Sequence, residues 1–151
     1  MTGGPTTGGR IYSVGYEGTT VDDLVERLAA QGVSLLIDVR LTPISRRPGF
    51  SRRSLAAALA VAGIEYVHEP LLGNPPENRD AFRAGDPAAE QVVRQRLDGR
   101  ARRAVEQLVF EARRRRVAVM CVEREPSRCH RRVITDVARE LTLNLEVLDV
   151  L

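Results

Sequence analysis

The residues best suited to chemistry lie close together in the stretch from Val119 to Val133, which reads VMCVEREPSRCHRRV. It contains both cysteines of the chain and one of its two histidines. Thiols and imidazoles serve as nucleophiles, acid–base groups and metal ligands. Cys121 ends an apolar, strand-like run, and Glu123 falls on the same side because alternate strand residues share a face. We therefore choose Cys121 as a candidate nucleophile, with Glu123 and His130 as candidate acid–base groups.

Several kinds of site can be considered for this stretch, and most of them fit it poorly. We expect no structural disulfide, since cytoplasmic chains seldom contain one. A zinc site could draw on Cys121, Cys129, His130 and His68, but adjacent cysteine and histidine residues on a helix would point in different directions. A phosphatase loop has the spacing Cys-x5-Arg, whereas Arg128 lies seven positions after Cys121, one too many. A rhodanese loop cradles sulfur with backbone amides, for which a segment with two glutamates and a proline is poorly suited.

The helix that follows this loop is expected to begin with Ser127 as its N-cap. Arg128, Cys129 and His130 would then form the first turn, where backbone N–H groups and the helix dipole attract an anion and lower a thiol pKa. The alternative for Cys129 is structural, because it starts an apolar row at helical spacing that would face the core. His130 likewise is either a general base or only a histidine of the first helical turn.

Ionisable residues also follow the other predicted strands. Ligands bind outside the carboxyl ends of the strands in open α/β sheets, so these residues are expected to share one edge. Glu17 and Asp38 are further candidate acid–base residues. Tyr16, Arg40 and His68 are candidate ligand-binding residues. The alternative for Asp38 and Arg40 is that they simply pair with each other.

An arginine-rich loop at residues 42–53 is a second candidate binding element. Arg46 and its arginine neighbours surround Phe50, which looks exposed in this polar context, and Ser45 precedes them. Arginines beside an exposed aromatic ring suit a phosphate together with a base that stacks on the ring. The alternative is a solvated loop in which Phe50 packs as a hydrophobic staple.

Strand and helix patterns alternate along the chain and would position these residues. Apolar runs predict strands at residues 11–16, 34–40, 64–68, 116–122 and 143–150. Helical spacing predicts helices at residues 21–31, 54–62, 87–115 and 128–141. Helices between successive strands require parallel pairing, so we predict a three-layer, Rossmann-like α/β domain with a five-stranded, mainly parallel sheet. A flavodoxin-like strand order is the alternative.

Turn and cap residues add two expectations about the connections. Thr20 and Asp86 are predicted N-caps, with Pro87 at the first position of its helix. Residues 69–86 contain several turn formers and are expected to form a long irregular excursion, which in a compact domain is usually functional or mobile.

Length and composition limit the class of protein. The chain has 151 residues, 43% hydrophobic and 28% charged, as expected for one globular domain. We predict a disordered tail at residues 1–10 and a single α/β domain at residues 11–151. The N-terminus has neither a basic nor an apolar signal region, and no apolar run could cross a bilayer, so a cytoplasmic protein without membrane contact is expected. The net charge of +3 is too small to require nucleic acid, although all 23 basic residues are arginines, which bind phosphate well.

Three stretches of the chain carry a family resemblance: SVGYEGTTVDDLVERL, LLIDVRLTPISRRPGFSRRSLAAALAVAGIEYVHEPLLGNPPENR and VMCVEREPSRCHRRVI. They resemble the bacterial family catalogued as domain of unknown function 488, over nearly the whole chain from Ile11 to the last strand. The resemblance implies an α/β fold and a cytoplasmic bacterial protein, and it supplies no established activity. The residues that it singles out are Tyr16, Glu17, Asp38, Arg40, Ser45, Arg46, Phe50, His68, Gly73, Asn74, Cys121, Glu123, Cys129, His130 and Arg131.

These observations lead us to predict an acid–base or thiol-dependent hydrolase or transferase that acts on a phosphate-bearing ligand, such as a nucleotide or nucleic acid. Arg40, Arg46 and Arg131 would hold the anion, and Asn74 is a further binding candidate. A non-enzymatic binding module for nucleic acid or a nucleotide is one alternative. Sulfur transfer or redox chemistry at Cys121 is another. The sequence contains no obligatory cofactor motif, and we do not expect zinc.

Overall fold

The computed structural model describes residues 9–150. Within that range the strands are β1 (Arg10–Gly15), β2 (Leu35–Asp38), β3 (Glu65–His68), β4 (Val117–Cys121) and β5 (Glu146–Val150). The helices are α1 (Val21–Ala30), α2 (Arg52–Val61), α3 (Pro76–Arg83), α4 (Pro87–Asp98), α5 (Arg102–Arg114) and α6 (Arg131–Leu141). Short 3-10 turns at Pro70–Leu72 and Pro126–Arg128 follow β3 and β4. The predicted tail at residues 1–10 lies almost entirely outside the described residues, and Arg10 itself begins β1.

The strands pair in the order β3-β2-β4-β1-β5, and each of these pairings is parallel. The predicted three-layer α/β fold with a five-stranded parallel sheet is therefore confirmed. The order is neither the flavodoxin-like order 2-1-3-4-5 nor the Rossmann order that starts 3-2-1-4-5. Strand order depends on how the crossover helices pack, and the apolar pattern along a single strand does not contain that information.

Helices cover both faces of this sheet. On one face, α1 and α2 pack against residues that include Leu36 and Met120. On the other face, α3 to α6 pack against residues that include Ile37 and Val119. β4 is buried along its whole length, as a central strand covered on both faces should be. Residues one position apart in β2 and β4 therefore belong to different sides of the molecule.

The connection between β3 and β4 differs from expectation in two ways. Residues 69–86 are not an irregular excursion, because they contain the 3-10 turn at Pro70–Leu72 and the helix α3. The helix predicted at residues 87–115 is two helices, which separate at Gly99. A continuous helix there would be about 43 Å long, far longer than the strands it covers, and glycine is a poor helix former. None of the helices within residues 9–150 has the length and apolar character needed to cross a membrane.

Two predicted helix caps are present in the structure. The side chain of Thr20 accepts a hydrogen bond from the Asp23 N–H at 3.1 Å and starts α1. The carboxylate of Asp86 accepts one from the Ala88 N–H at 2.9 Å and starts α4. Each cap satisfies an N–H group that has no partner within the helix.

The start of α6 was predicted wrongly. The helix begins at Arg131 with His130 as its N-cap residue, and Ser127 lies instead within the 3-10 turn before it. The Ser127 hydroxyl donates a hydrogen bond to Glu125 rather than accepting one from the backbone. Cys129 consequently has an extended backbone, with φ −122° and ψ 142°, and is not part of the helix.

Candidate functional site

A pocket opens where the carboxyl ends of β2 and β4 meet. The helix that follows β2 packs on one face of the sheet, and the helix that follows β4 packs on the other. Such a point of divergence is where open parallel sheets bind ligands. Five predicted site residues line the pocket, namely Arg40, Asn74, Cys121, Glu123 and His130. Its volume of about 60 Å³ fits a small charged group rather than a complete nucleotide.

Cys121, Cys129 and His130 form a buried group beside this pocket, which we call the thiol–imidazole cluster. The Nδ1 atom of His130 lies 4.0 Å from the sulfur of Cys121 and 3.7 Å from that of Cys129. Both cysteines are free thiols. Because Cys129 is extended and only His130 borders the helix, these adjacent side chains converge. The divergence that told against zinc in the sequence does not occur.

The remaining polar atoms around the cluster have defined partners. Nε2 of His130 lies 3.1 Å from the carbonyl oxygen of Val39, so Nε2 carries a proton, and Nδ1 faces the two sulfurs. Nη1 of Arg131 donates to the Cys129 sulfur at 3.3 Å, and Nε donates to the Ser13 hydroxyl at 2.8 Å. Arg131 is only 1% exposed. It therefore bonds within the protein and is not one of the residues that line the pocket.

Burial and charge distinguish the two thiols. The neighbouring thiol of Cys129, together with burial, raises the pKa of Cys121 well above the usual thiol value. Burial also acts to raise the pKa of Cys129, but the neighbouring Cys121 and the charge of Arg131 outweigh that effect and lower it. Burial acts to lower the pKa of His130, but the interaction with Cys121 outweighs it and raises the pKa. The environment thus favours the thiolate of Cys129, whereas Cys121, the predicted nucleophile, stays protonated near neutral pH.

Arginines surround the mouth of the pocket. Nη2 of Arg83 lies 3.3 Å from the carboxylate of Glu123, whose side chain is 17% exposed. Arg79 and Arg128 also line the pocket. Their side chains make no hydrogen bond or ion pair with any residue in the range 9–150. Two guanidinium groups are therefore available to an anion beside a carboxylate that an arginine already orients.

Asp38 and Arg40 form a buried ion pair, which is the alternative that their sequence positions left open. Nε and Nη2 of Arg40 donate to the two carboxylate oxygens at 2.9 and 2.7 Å. The hydroxyl of Tyr66 donates to the same carboxylate at 2.5 Å. Burial acts to lower the pKa of Arg40, but the bond and charge of Asp38 raise it overall, while burial and the bond to Asp38 raise that of Tyr66. Both oxygens of Asp38 are thus bonded within the protein, a poor arrangement for acid–base catalysis.

Phe50 is buried, so the interpretation with an exposed ring is wrong and the alternative with a packed ring is the one observed. It is 1% exposed and stacks on Tyr16, with ring centroids 4.3 Å apart and planes 11° apart. Nη1 of Arg40 donates to the Phe50 carbonyl at 2.7 Å and to the Tyr16 hydroxyl at 3.3 Å. The gain from burying an aromatic ring outweighs the local polarity of the arginine-rich loop. Phe50 cannot stack on a nucleic-acid base in this arrangement.

Three predicted residues lie away from the pocket. Glu17 lies in a separate depression, where its carboxylate accepts a hydrogen bond from the Arg124 N–H at 3.3 Å. The hydroxyl of Ser45 accepts one from the Arg47 N–H at 3.1 Å within the arginine-rich loop. Arg46 is exposed on the same loop. The carboxyl edge of the sheet thus does not gather all the predicted groups in one place.

Two predicted residues hold the loops that form the pocket. His68 lies with Nε2 2.7 Å from the carbonyl oxygen of Arg40, which fixes the chain just after β2. The side-chain oxygen of Asn74 accepts a hydrogen bond from Asn78 in α3 at 2.9 Å. Gly73 approaches the loop after β2 so closely that a Cβ would lie 2.8 Å from its backbone. These contacts position the wall of the pocket formed by the segment after β3.

Sequence reasoning missed five residues of this region. Arg79 and Arg83 lie one helical turn apart, a spacing that could have been noticed had their segment been predicted as a helix. Tyr66 lies two residues before His68 in β3, so the two side chains share one side of the strand. Arg128 was placed only in the predicted first turn of the helix and not among the anion-binding side chains. Ser13 carried no signal, because its role depends on a contact with the distant Arg131.

The family model described as "Domain of unknown function DUF488" matches residues 20–138. The chain belongs to this family. The match runs from the start of α1 into α6 and includes the residues that line the pocket, whereas Tyr16 and Glu17 precede it. No curated protein and no solved structure matches the chain significantly.

The structure separates the polar residues of this DUF488 domain into two groups on opposite sides of the sheet. The ion pair of Asp38 and Arg40 joins the side covered by α1 and α2, through its bonds to Tyr16 and Phe50. The two thiols of the thiol–imidazole cluster belong to the side covered by α3 to α6. Only Arg40 of the first group reaches the pocket. The pocket is therefore lined mainly by residues on the side of the cluster and Glu123.

Proposed function

We propose that this DUF488 domain is an enzyme that acts on a phosphate-bearing ligand, a nucleotide or a nucleic acid, whose phosphate group binds in the pocket between β2 and β4. The guanidinium groups of Arg79 and Arg128 carry the proposal, because they line the pocket without a partner among residues 9–150. Arginine is the preferred bidentate partner of phosphate oxygens. The small volume of the pocket supports a bound phosphate group with the rest of the ligand at the open mouth.

Glu123 is the residue to which we assign acid–base chemistry. It lines the pocket, and its carboxylate keeps some contact with solvent while Arg83 holds it at 3.3 Å. A carboxylate in that position can exchange a proton with an oxygen of the ligand or with a water molecule next to it. Cys121 also lines the pocket, but its raised pKa makes it a poor nucleophile.

The two alternatives predicted from the sequence have weaker support. A non-enzymatic nucleic-acid module keeps the exposed Arg46, but the burial of Phe50 removes the ring on which a base would stack. Sulfur transfer at Cys121 would need a thiolate, which its surroundings disfavour. We place the protein in the bacterial cytoplasm as part of the proposal, since neighbouring free thiols persist in a reducing compartment.

Binding of inorganic phosphate and of AMP, measured by isothermal titration calorimetry, tests the anion site. We expect Arg79→Ala and Arg128→Ala each to weaken binding by about tenfold or more, since each removes a charged hydrogen bond. Arg139→Ala is the matched control, because Arg139 lies in α6 with Asp136 as its partner, outside the pocket. Equal affinities for the wild type and both pocket variants would contradict the proposal.

Turnover tests the enzymatic part of the proposal separately. The wild-type protein would be incubated with a set of nucleoside phosphates and with short single-stranded DNA, and products would be followed by mass spectrometry. Glu123→Gln should retain phosphate binding and reduce turnover by about 10²- to 10⁴-fold, the usual contribution of a general acid or base. Binding without turnover of any substrate would favour the non-enzymatic module instead.

A further inference from the structure

Beyond the proposed function, we propose that the thiol–imidazole cluster is a zinc site in which the ligands are Cys121 Sγ, Cys129 Sγ and His130 Nδ1. These three atoms lie within 4.8 Å of one another, and all three residues are buried. Two sulfurs and one imidazole nitrogen are a recognised ligand set for zinc, with bond lengths of about 2.3 Å to sulfur and about 2.0 Å to nitrogen. Tetrahedral geometry then requires separations of about 3.5–3.8 Å between ligand atoms. The observed Nδ1–sulfur distances of 3.7 and 4.0 Å need to shorten by only a few tenths of an ångström. The two sulfurs, which lie within 4.8 Å of each other, need to approach by at most about 1 Å.

The hydrogen bond on the far side of the imidazole supports coordination through Nδ1. Nε2 lies 3.1 Å from the Val39 carbonyl oxygen, which can only accept, so the proton is on Nε2. A metal-binding histidine typically donates its second ring N–H to a backbone carbonyl or a carboxylate in this way, which fixes the tautomer and the ring orientation. Nδ1 therefore already faces the two sulfurs, and its lone pair is available to a metal ion in the neutral imidazole.

The charge of the cluster suits a divalent, thiophilic ion. Binding of the ion would displace the proton that Cys121 otherwise keeps. The two thiolates would then carry more negative charge than Arg131, bonded to Cys129 at 3.3 Å, can offset. A divalent ion neutralises both thiolates, and Arg131 can still donate to the Cys129 sulfur. Thiolate and imidazole ligands select zinc over magnesium or calcium, which prefer oxygen.

The open coordination position would face the pocket. Cys121 and His130 line the pocket together with Glu123, whereas Cys129 lies behind them in the core. Three protein ligands with a fourth position left for water or substrate are the pattern of catalytic rather than structural zinc sites. The zinc proposal does not rest on the phosphate proposal, since the cluster would hold the ion whatever anion the arginines bind.

Metal content and cobalt substitution test this site without any other ligand. Protein without an affinity tag would be purified under reducing conditions, and its zinc content measured by inductively coupled plasma mass spectrometry, with about one zinc per chain expected. After removal of zinc by a chelator, addition of Co²⁺ to the wild-type protein should produce the near-ultraviolet charge-transfer band of thiolate–cobalt bonds. This measurement needs no variant and so does not depend on how well a substituted core folds.

Variants then identify the ligands. Cys121→Ser and His130→Gln should each weaken zinc binding, measured by competition with a chelator, by at least about a hundredfold. Arg139→Ala changes a residue of α6 that pairs with Asp136 away from the cluster, and it should leave zinc binding unchanged. Arg79→Ala should weaken phosphate binding at unchanged zinc content, so the two proposals can fail independently. A wild-type protein that shows no thiolate–cobalt band, or in which Cys121 and Cys129 form a disulfide and no zinc is bound, would overturn the inference.

Discussion

Arg40 makes more side-chain hydrogen bonds than any other charged residue that lines the pocket. Its guanidinium bonds both oxygens of Asp38, the Tyr16 hydroxyl and the Phe50 carbonyl, while its own carbonyl oxygen lies against His68. A buried ion pair contributes little net stability compared with apolar packing, but loss of one partner leaves the other charged and without compensation. Arg40 is therefore more important for holding the chain after β2 than for binding an anion.

Arg40→Met should destabilise the protein by about 3–5 kcal/mol, because the Asp38 carboxylate would remain buried without its cation. Urea denaturation followed by circular dichroism measures this loss. Arg139→Met is the control, since it breaks an ion pair whose side chains are 50% and 41% exposed and should cost at most about 1 kcal/mol. Similar losses for the two variants would show that the buried pair is not structurally important.

The connection after β4 is shaped by the strand next to it. β1 continues to bond this segment beyond its own end, since the N–H groups of Tyr16 and Glu17 donate to the carbonyl oxygens of Cys121 and Val122. The chain then crosses directly over Gly15, where a Cβ would lie 1.8 Å from the Glu123 carbonyl oxygen. A residue with a side chain at this position would displace the segment that carries Glu123.

Gly15→Ala should therefore lower the free energy of unfolding by about 3 kcal/mol or more. The new Cβ would meet backbone atoms of Glu123, which cannot move away as a flexible side chain can. It should also weaken phosphate binding by displacing the wall of the pocket. Gly85→Ala is the matched control: its φ of +82° strains an alanine by about 1–2 kcal/mol, but nothing lies within 4 Å of the new Cβ. The urea midpoints of the two variants give the loss of stability in each. A smaller loss for Gly15→Ala than for Gly85→Ala would contradict the steric explanation.

Burial across the whole molecule is uneven from the centre of the sheet to its edges. β4 is buried at every position and lies between β2 and β1. The edge strands β3 and β5 consist of exposed and partly buried residues only. Because local opening requires fewer buried contacts to be broken at an edge, the stability of individual hydrogen bonds should decrease outward from β4.

Hydrogen–deuterium exchange measured by mass spectrometry tests this gradient. Peptides that cover β4 and β1 should exchange only through global unfolding, whereas those that cover β3 and β5 should exchange earlier, by local opening. Addition of zinc should slow exchange at Cys121 and at the start of α6, where the inferred ligands lie. Equal exchange in β4 and β5 would show that the sheet opens as one unit.

Periodicity along the chain was sufficient to predict the fold class and to place Cys121 and Glu123 at the end of a buried strand. The residue types at the helix starts were sufficient to predict the caps at Thr20 and Asp86. These features depend on residues that are near in sequence, since side chains repeat with the period of their own strand or helix. The family resemblance was confirmed by a match that covers most of the chain.

Other features depended on contacts between distant segments. The strand order, the burial of Phe50 against Tyr16, the start of α6 at Arg131 and the convergence of Cys129 with His130 each follow from how separate elements pack. Arg79 and Arg128 reach one pocket from segments that lie about fifty residues apart. These long-range contacts cannot be predicted from the pattern of neighbouring residues. The free energy of burial is gained only when surfaces from remote parts of the chain come into contact.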